Sequence, residues 1–302
     1  MGTSYSIQLA DRLRLAELRE IKAAVDERLL GVNVAMSTWI PNSEISKFNQ
    51  FHRVEPFPVL PEFFSVVQRA LDIAEATDGA FDPTVKPLVD HWGFGSKDEK
   101  EPLDEILQAV GWRKVRTEDG TLIKANPMLQ LDLSAIAKGY GVDAVAGVLR
   151  RNGIRGFIVE IGGEIVADGL KSNGQPWRVG IETPDPDQPF GSAIQETVML
   201  SGKALATSGD YRNFRFREDG TRYSHIIDPQ TGRPAETDMA SVSVLADSCM
   251  NADAIATALF VMGSEKSFQW LSSHPELEVF CTRHSTNGTF ASRSTVGFPI
   301  ED

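Results

Sequence analysis

The order in which helical and extended segments follow one another limits this fold more than any single motif. Apolar residues at helical spacing, including Ala16, Ile21, Val25 and Leu29, predict a helix over 13–30, with Gly31 as its stop. A second helix is expected over 61–77, with proline near its start and Asp78-Gly79 past its end. A short one is expected over 102–110, and another starts near Ser134 and ends by Gly153. Extended segments are scattered among these. Tyr5 to Leu9 alternates, 128–133 reads as a strand running into a helix, and 157–161 and 164–167 flank Gly162-Gly163. Val115 and Leu122-Ile123 flank a turn at 118–120, and 183–191 is a proline- and aspartate-rich loop. Strands are then expected at 194–200, 211–216 and 241–245, followed by a helix over 251–262 ending at Gly263 and a last helix and strand around 268–271 and 277–281. Such an order has no regular βα alternation. It predicts an α+β fold with a mixed, mostly antiparallel sheet and flanking helices.

With 302 residues, 41% of them hydrophobic, the chain can bury a real core, and no linker forces a boundary. One domain over 1–302 is therefore expected. A net charge of -12 repels phosphate backbones and anionic lipid surfaces, so nucleic acid is not an expected partner. A phosphate-bearing ligand would need a local cation, a metal or backbone amides. Cys249 and Cys281 are too few for a disulfide framework or a zinc ribbon and read as small buried residues. No segment has the length and apolarity of a membrane span.

Three stretches carry candidate chemistry. In Asn251-Ala252-Asp253-Ala254-Ile255-Ala256-Thr257, an otherwise apolar helix places Asp253 and Thr257 one turn apart on one face. A carboxylate and a hydroxyl so placed can share a hard cation such as Mg²⁺. Equally, Asp253 can complement the helix dipole while Thr257 bonds back to a carbonyl. In Leu131-Asp132-Leu133-Ser134-Ala135-Ile136-Ala137-Lys138-Gly139, a polar turn opens a helix whose first amides can meet an anion. Lys138 is poorly placed there for the dipole, which an anionic ligand would explain. The alternative is that Asp132 merely caps the helix and Lys138 points to water. In His225-Ile226-Ile227-Asp228-Pro229, a histidine precedes a rigid, turn-rich loop and can serve a phosphate or act as acid or base, or be structural. The loops at 77–84 and 207–211 can each approach a ligand through their backbone or be simple turns. Trp39 can stack on a planar ring or join the core. Rossmann, P-loop, nucleophile-elbow and zinc signatures are absent.

Taken in order, these blocks resemble one family. Met-Gly-Thr at 1–3, Ser-Thr-Trp at 37–39, and Ser43-Glu44-Ile45-Ser46-Lys47-Phe48-Asn49 look like its N-terminal part. The run from Asp78 to Thr84, with Pro87-Leu88-Val89 and Trp92-Gly93-Phe94-Gly95, looks like its next block. The stretches at 131–143, 207–211, 225–234 and 253–259 complete the set. The likeness spans Met1 to about Gly263, and the family is ApbE, the FAD:protein FMN transferases.

The resemblance implies an α+β architecture often described as T-fold-like, FAD bound in a cleft, and Mg²⁺ near the pyrophosphate. It assigns the metal to the backbone carbonyl of Ala135 and the side chains of Asp253 and Thr257. It assigns FAD to Met1, Trp39, Ala80, Phe81, Asp82, Asp132, Lys138, His225 and Ile227. His225 is the first candidate for the base that activates the acceptor, and Asp253 the second. In one place the sequence departs from the pattern: Ser134-Ala135 stands where the family often has two glycines. A main-chain ligand at Ala135 survives that change. The implied reaction is covalent flavinylation: FMN moves from FAD to a threonine or serine hydroxyl of an acceptor protein, releasing AMP. An FAD pyrophosphatase giving FMN and AMP, and a non-catalytic FAD-binding protein, are the rival readings. The expected acceptor is a flavoprotein subunit of a redox complex. The expected location is the periplasm, or the inner membrane facing it through a lipid anchor outside this chain; the cytoplasm is the alternative.

Overall fold

The structure, a computed structural model, describes residues 2–96, 101–189, 191–285 and 289–300. Its chain forms two compact units. One comprises Gly31–Ala137 and Asn213–Glu236; the other comprises Gly2–Leu30, Lys138–Arg212 and the described residues from Thr237 onward.

The second unit is built on a seven-stranded sheet. Its order is Tyr5–Leu9, Phe157–Ile161, Glu164–Asp168, Lys203–Gly209, Met239–Ala246, Glu278–His284 and Phe290–Ser294. Every neighbouring pair is antiparallel, as the irregular order of elements requires. Gly162 and Gly163, both at positive φ, close the tight hairpin that the sequence marks there. The strand Met239–Ala246 is buried at every position. Against the sheet lies the helix Cys249–Met262, which contacts both Lys203–Gly209 and Met239–Ala246. Its alanines at 252, 254, 256 and 258 are all buried, so the helix can sit close to the sheet.

Several expected boundaries move, each for a physical reason. The segment 207–209, expected as a loop, is the end of the strand Lys203–Gly209, with Thr207 opposite Ser243 and Ser208 opposite Val242. Its small residues mark close packing under a helix, not a turn. The helix expected from 251 begins at Cys249, because Ser248 is the N-cap and accepts the Asn251 N–H at 3.4 Å. The first helix spans Leu15–Met36 and runs through Gly31. Val25, Leu29, Val32 and Met36 continue one buried stripe, which outweighs the ~1 kcal/mol cost of a helical glycine.

The other unit holds the helices Glu44–Gln50, Pro61–Ala76, Lys86–His91 and Leu103–Ala109. A small sheet orders Phe57–Pro58, Thr121–Lys124 and Val115–Glu118, and two short hairpins pair Phe214–Phe216 with Arg222–Ser224 and Ile227–Asp228 with Arg233–Pro234. The expected strand over 128–133 does not form. Its polar main-chain groups are satisfied by a side chain instead: the Leu131 N–H donates to Asn49 Oδ1 at 2.7 Å, and Asn49 Nδ2 donates to the Leu131 carbonyl at 2.9 Å. Asn49 is itself buried.

Lys124, at the end of its strand, is 1% exposed. Its ammonium lies 4.5 Å from the centroid of the Phe48 ring and has no hydrogen-bond partner among the described residues. Burial pushes its pKa down to about 8. The folded protein therefore holds this proton less tightly than the unfolded chain. Stability is reduced at pH 7 and recovers as pH rises from about 8 towards the ordinary lysine range near 10.4. Lys124→Met is expected to raise stability at pH 7 by ~2 kcal/mol, and to raise it much less at pH 10. Paired thermal melts at the two pH values check this; an equal gain at both would remove the charge from the explanation.

Candidate functional site

In the second unit, Asp253 and Thr257 lie on the helix Cys249–Met262, and Lys138 and Gly139 lie on the helix Ser134–Arg151. The two helices meet where Gly139 has no side chain: a Cβ there would fall 2.2 Å from the Cys249 carbonyl oxygen. That approach lets two carboxylates cross from one helix to the other. Asp253 Oδ2 accepts the Gly139 N–H at 2.9 Å. In return Asp143 accepts the Cys249 and Met250 N–H groups at 3.0 and 2.9 Å and the Ser248 hydroxyl at 2.8 Å, satisfying the first donors of the other helix. Burial raises the Asp143 carboxyl, and these three donors oppose the rise.

Lys138 is the centre of the charge arrangement. Its ammonium pairs with Glu164 Oε1 and lies 3.6 Å from Asp253 Oδ1. Burial alone would lower the lysine, but Asp253 and Glu164 hold it above its ordinary range. The Glu164 carboxyl is pushed up by burial and by Asp253, against the pull of Lys138. The second oxygen of Glu164, Oε2, is buried and has no hydrogen-bond partner among the described residues. Pushed up in this way, Glu164 favours its protonated form beside the Lys138–Asp253 pair, and a cation arriving there would favour its ionised form instead. Thr257 Oγ1 stands 3.1 Å from Ser208 Oγ and 3.4 Å from the Asp253 carbonyl. The donors gathered here are all hard oxygens, which suit Mg²⁺ and not a thiophilic metal. No group of three or more His, Cys, Asp or Glu among the described residues forms a complete metal cage. Mg²⁺ tolerates this, since it commonly keeps waters and substrate phosphate oxygens among its ligands. Both cysteines are free and buried, and burial raises both thiols, Cys281 to about 11, so neither offers a thiolate.

In the other unit, the loop 77–84 is fixed from within. Asp82 Oδ1 accepts the Thr84 N–H and hydroxyl at 2.7 and 2.6 Å, while Oδ2 accepts the Trp112 N–H at 2.9 Å. Burial raises this carboxyl and the same donors oppose it. The Asp132 N–H donates to the Pro83 carbonyl at 2.8 Å, which brings two of the expected FAD-binding blocks side by side. Gln230 Nε2 donates to the Asp78 carbonyl at 3.3 Å and brings in a third, the loop after His225. The His225 ring Nδ1 lies 3.0 Å from the Asn213 carbonyl. A carbonyl only accepts, so Nδ1 carries the hydrogen in this contact, and whenever the ring is neutral its lone pair is on Nε2.

The expected residues thus have distinct surroundings. Lys138, Asp253 and Thr257 come together. Lys138 does not simply point to water, while Asp132 closes the turn just before its helix by accepting the Ser134 N–H at 2.8 Å, with Leu133 at the cap position. Ala80, Phe81 and Asp82 are buried, and Ile227 packs with Leu88, Ile106 and Val110, so at these positions the main chain is the better placed part to meet a ligand. Trp39 is 69% exposed and is not part of the core. Ala135 is in the first turn of its helix, four residues before Gly139. Met1 lies outside the described residues. Sequence reasoning missed Glu164 and Asp143. The alternation of the strand Glu164–Asp168 held a signal for the first, placing a carboxylate in phase with buried Val166.

The model of the ApbE family matches residues 1–281. A protein of Vibrio cholerae named FAD:protein FMN transferase is 46% identical over 272 residues, covering 88% of this chain and 80% of its own. One of Haemophilus influenzae with the same name is 39% identical over 310 residues, covering 99% and 88%. Among solved structures, the flavin transferase ApbE from Vibrio cholerae superposes with a TM-score of 0.89 at 41% identity, covering 99% of this chain and 95% of that one. The apo flavinyl transferase ApbE of Pseudomonas stutzeri gives 0.85 at 32% identity, covering 98% and 92%.

Proposed function

The chain belongs to the ApbE family, and from that premise we propose that it moves FMN from FAD to a threonine or serine hydroxyl of an acceptor protein, releasing AMP, with Mg²⁺ required. The observation that carries the reading is the cluster of half-buried Lys138 with buried Glu164 and Asp253 beside Thr257. It offers one fixed cation for phosphate oxygens and hard oxygen donors for a second.

Asp253 and Thr257 would hold the metal through their side chains, and Ala135 would do so through its main-chain carbonyl. Bound there, Mg²⁺ supplies neutralising charge to phosphate oxygens. In the transfer itself, the acceptor oxygen forms a bond to the FMN phosphorus. The bond from that phosphorus to the bridging oxygen breaks, and AMP leaves with the oxygen as a dianion. Lys138 stabilises the growing charge from a position that Glu164 and Asp253 have already fixed, so little reorganisation is needed. His225 takes the hydroxyl proton at Nε2, the nitrogen left basic by the Nδ1 bond to Asn213. Asp253 is the weaker base, since one oxygen is engaged by Gly139 and the other faces Lys138. Met1, Trp39, Ala80, Phe81, Asp82, Asp132 and Ile227 complete the proposed FAD contacts, and the whole chain acts as one transferase domain. The acceptor in this proposal is a flavoprotein subunit of a redox complex, and the proposed place of action is the periplasm. No described helix is long and apolar enough to cross a membrane.

Product analysis tests the reading. With FAD and Mg²⁺, AMP is expected to accumulate only when acceptor is present, with no matching release of free FMN. Equal FMN and AMP without acceptor would instead make the protein a pyrophosphatase, and bound FAD with no AMP would make it a non-catalytic binder. Thr257→Val keeps the shape and removes a neutral oxygen. It should lower turnover by about ten-fold and raise the Mg²⁺ concentration needed for half-maximal rate. An unchanged Mg²⁺ dependence would release Thr257 from the metal.

A further inference from the structure

The chain carries an excess of acidic residues, yet the hairpin that leads into His225 is rich in arginine. Arg215, Arg217 and Arg222 lie on it, with Glu218 and Asp219 at its tip. The turn uses Asp219, which accepts the Thr221 N–H at 2.8 Å. Arg215 is directly opposite Tyr223, so those two side chains share one face, while Phe214, Phe216 and Arg222 share the other. On the first face the guanidinium of Arg215 lies 5.4 Å from the Phe94 ring centroid, and that of Arg217 lies 5.8 Å from the Tyr223 centroid. The two rings meet edge to face at 5.7 Å, and Phe94 in turn meets the His225 ring at 6.2 Å.

The seat of Arg215 is shaped for it. Gly93 has a φ of +79°, and a Cβ there would come within 3.2 Å of Arg215 Nη1. A guanidinium over an aromatic ring loses little of its donor capacity and gains a fixed orientation, ready for a carboxylate. Asp219, whose carboxyl is held below its ordinary range by the Thr221 N–H and by Arg217, offsets part of the Arg217 charge, so Arg215 is the less neutralised of the two. Arg215 is therefore joined through one aromatic ring, and Arg217 through two, to the histidine that takes the proton of the acceptor hydroxyl. Groups beside that base meet the residues beside the hydroxyl. In a chain of net charge -12, such a patch also gives an acidic segment one attractive place to land.

We propose that the face formed by Arg215, Arg217, Phe94 and Tyr223 receives an acidic segment of the acceptor polypeptide next to its flavinylated residue. The inference rests on the transferase reading and on the role of His225 within it. It implies that selection among hydroxyls is made partly by charge: carboxylates near the hydroxyl are bound, and a neutral flank is not.

The probes are two synthetic threonine peptides, one with aspartates flanking the threonine and one with asparagines in their place. Their binding to the full-length, FAD-loaded protein is measured by fluorescence anisotropy, for the wild type and for the double variant Arg215→Gln, Arg217→Gln. The wild type is expected to bind the aspartate peptide at least about ten-fold more tightly, with the preference shrinking as salt is raised. The double variant is expected to lose the preference while its affinity for FAD is unchanged. Equal binding of the two peptides, binding of neither, or a preference that survives in the double variant would overturn the proposal. A fall in FAD affinity in the variant would also overturn it, by giving the arginines to the dinucleotide phosphates. Because binding is read without turnover, these outcomes are distinct from a failure of the transfer reaction itself.

Discussion

Asp253→Asn should leave a folded protein that transfers almost no flavin. The substitution keeps the size of the side chain and an oxygen that can still accept the Gly139 N–H, so the contact between the two helices is preserved. It removes the charge proposed to hold a hard cation and does less to keep Lys138 protonated and in place. Loss of one element of a preorganised electrostatic site lowers rates by roughly 10²–10³. Loss of a metal ligand adds to this, so a fall of at least about 100-fold in kcat is expected, with little change in melting temperature. Removing one carboxylate from a buried group of two acids and one lysine also leaves the Lys138–Glu164 pair intact, which is why the fold tolerates it. Steady-state rates and a thermal melt on the same preparation check both halves. Full activity with Mg²⁺ would end the metal assignment.

Gly139→Ala carries the largest expected cost in stability. A methyl group there would sit 2.2 Å from the Cys249 carbonyl oxygen, 2.6 Å from its carbon and 2.8 Å from the Met250 nitrogen. All three are backbone atoms, so no rotamer change relieves the clash, and one helix has to move from the other. The motion would stretch the Gly139 bond to Asp253 and the Asp143 bonds to Cys249 and Met250 together. Overpacking of this kind costs about 1–3 kcal/mol, and weakening the reciprocal bonds adds to it. Any gain in helix propensity from alanine is about 1 kcal/mol and does not offset this. The expected result is a drop in denaturant midpoint and, in whatever fraction stays folded, reduced turnover, since Asp253 is no longer held. A variant as stable as the wild type would show that the helices are not locked at this point.

Much of the fold was legible because its punctuation is local. Proline at the start of Pro61–Ala76, Gly162-Gly163 between two strands, and Gly263 after Cys249–Met262 each mark a boundary that the structure keeps. Failures arose where a distant partner overrides the local signal. The backbone at Leu131 bonds to the side chain of Asn49, 82 residues away, which no window around 128–133 could reveal. Thr207-Ser208-Gly209 reads as a turn by composition and is a strand because Ser241 to Ser243 pairs with it. At the site, the i, i+4 spacing puts Asp253 and Thr257 on one helix as the structure has them, and the Thr257 hydroxyl also bonds back to the Asp253 carbonyl. Glu164 and Asp143 come from other elements, and their convergence on Lys138 and on the end of a helix depends on the sheet order.

Metal-dependent transfer is tested most directly by the intact mass of an acceptor protein incubated with this enzyme and FAD, with Mg²⁺ and, in parallel, with EDTA. A gain equal to one FMN with Mg²⁺, absent with EDTA and absent with Asp253→Asn, is the predicted result. An adduct that forms equally well in EDTA would contradict the role given to Asp253, Thr257 and the metal, and no adduct under any condition would contradict the transfer itself.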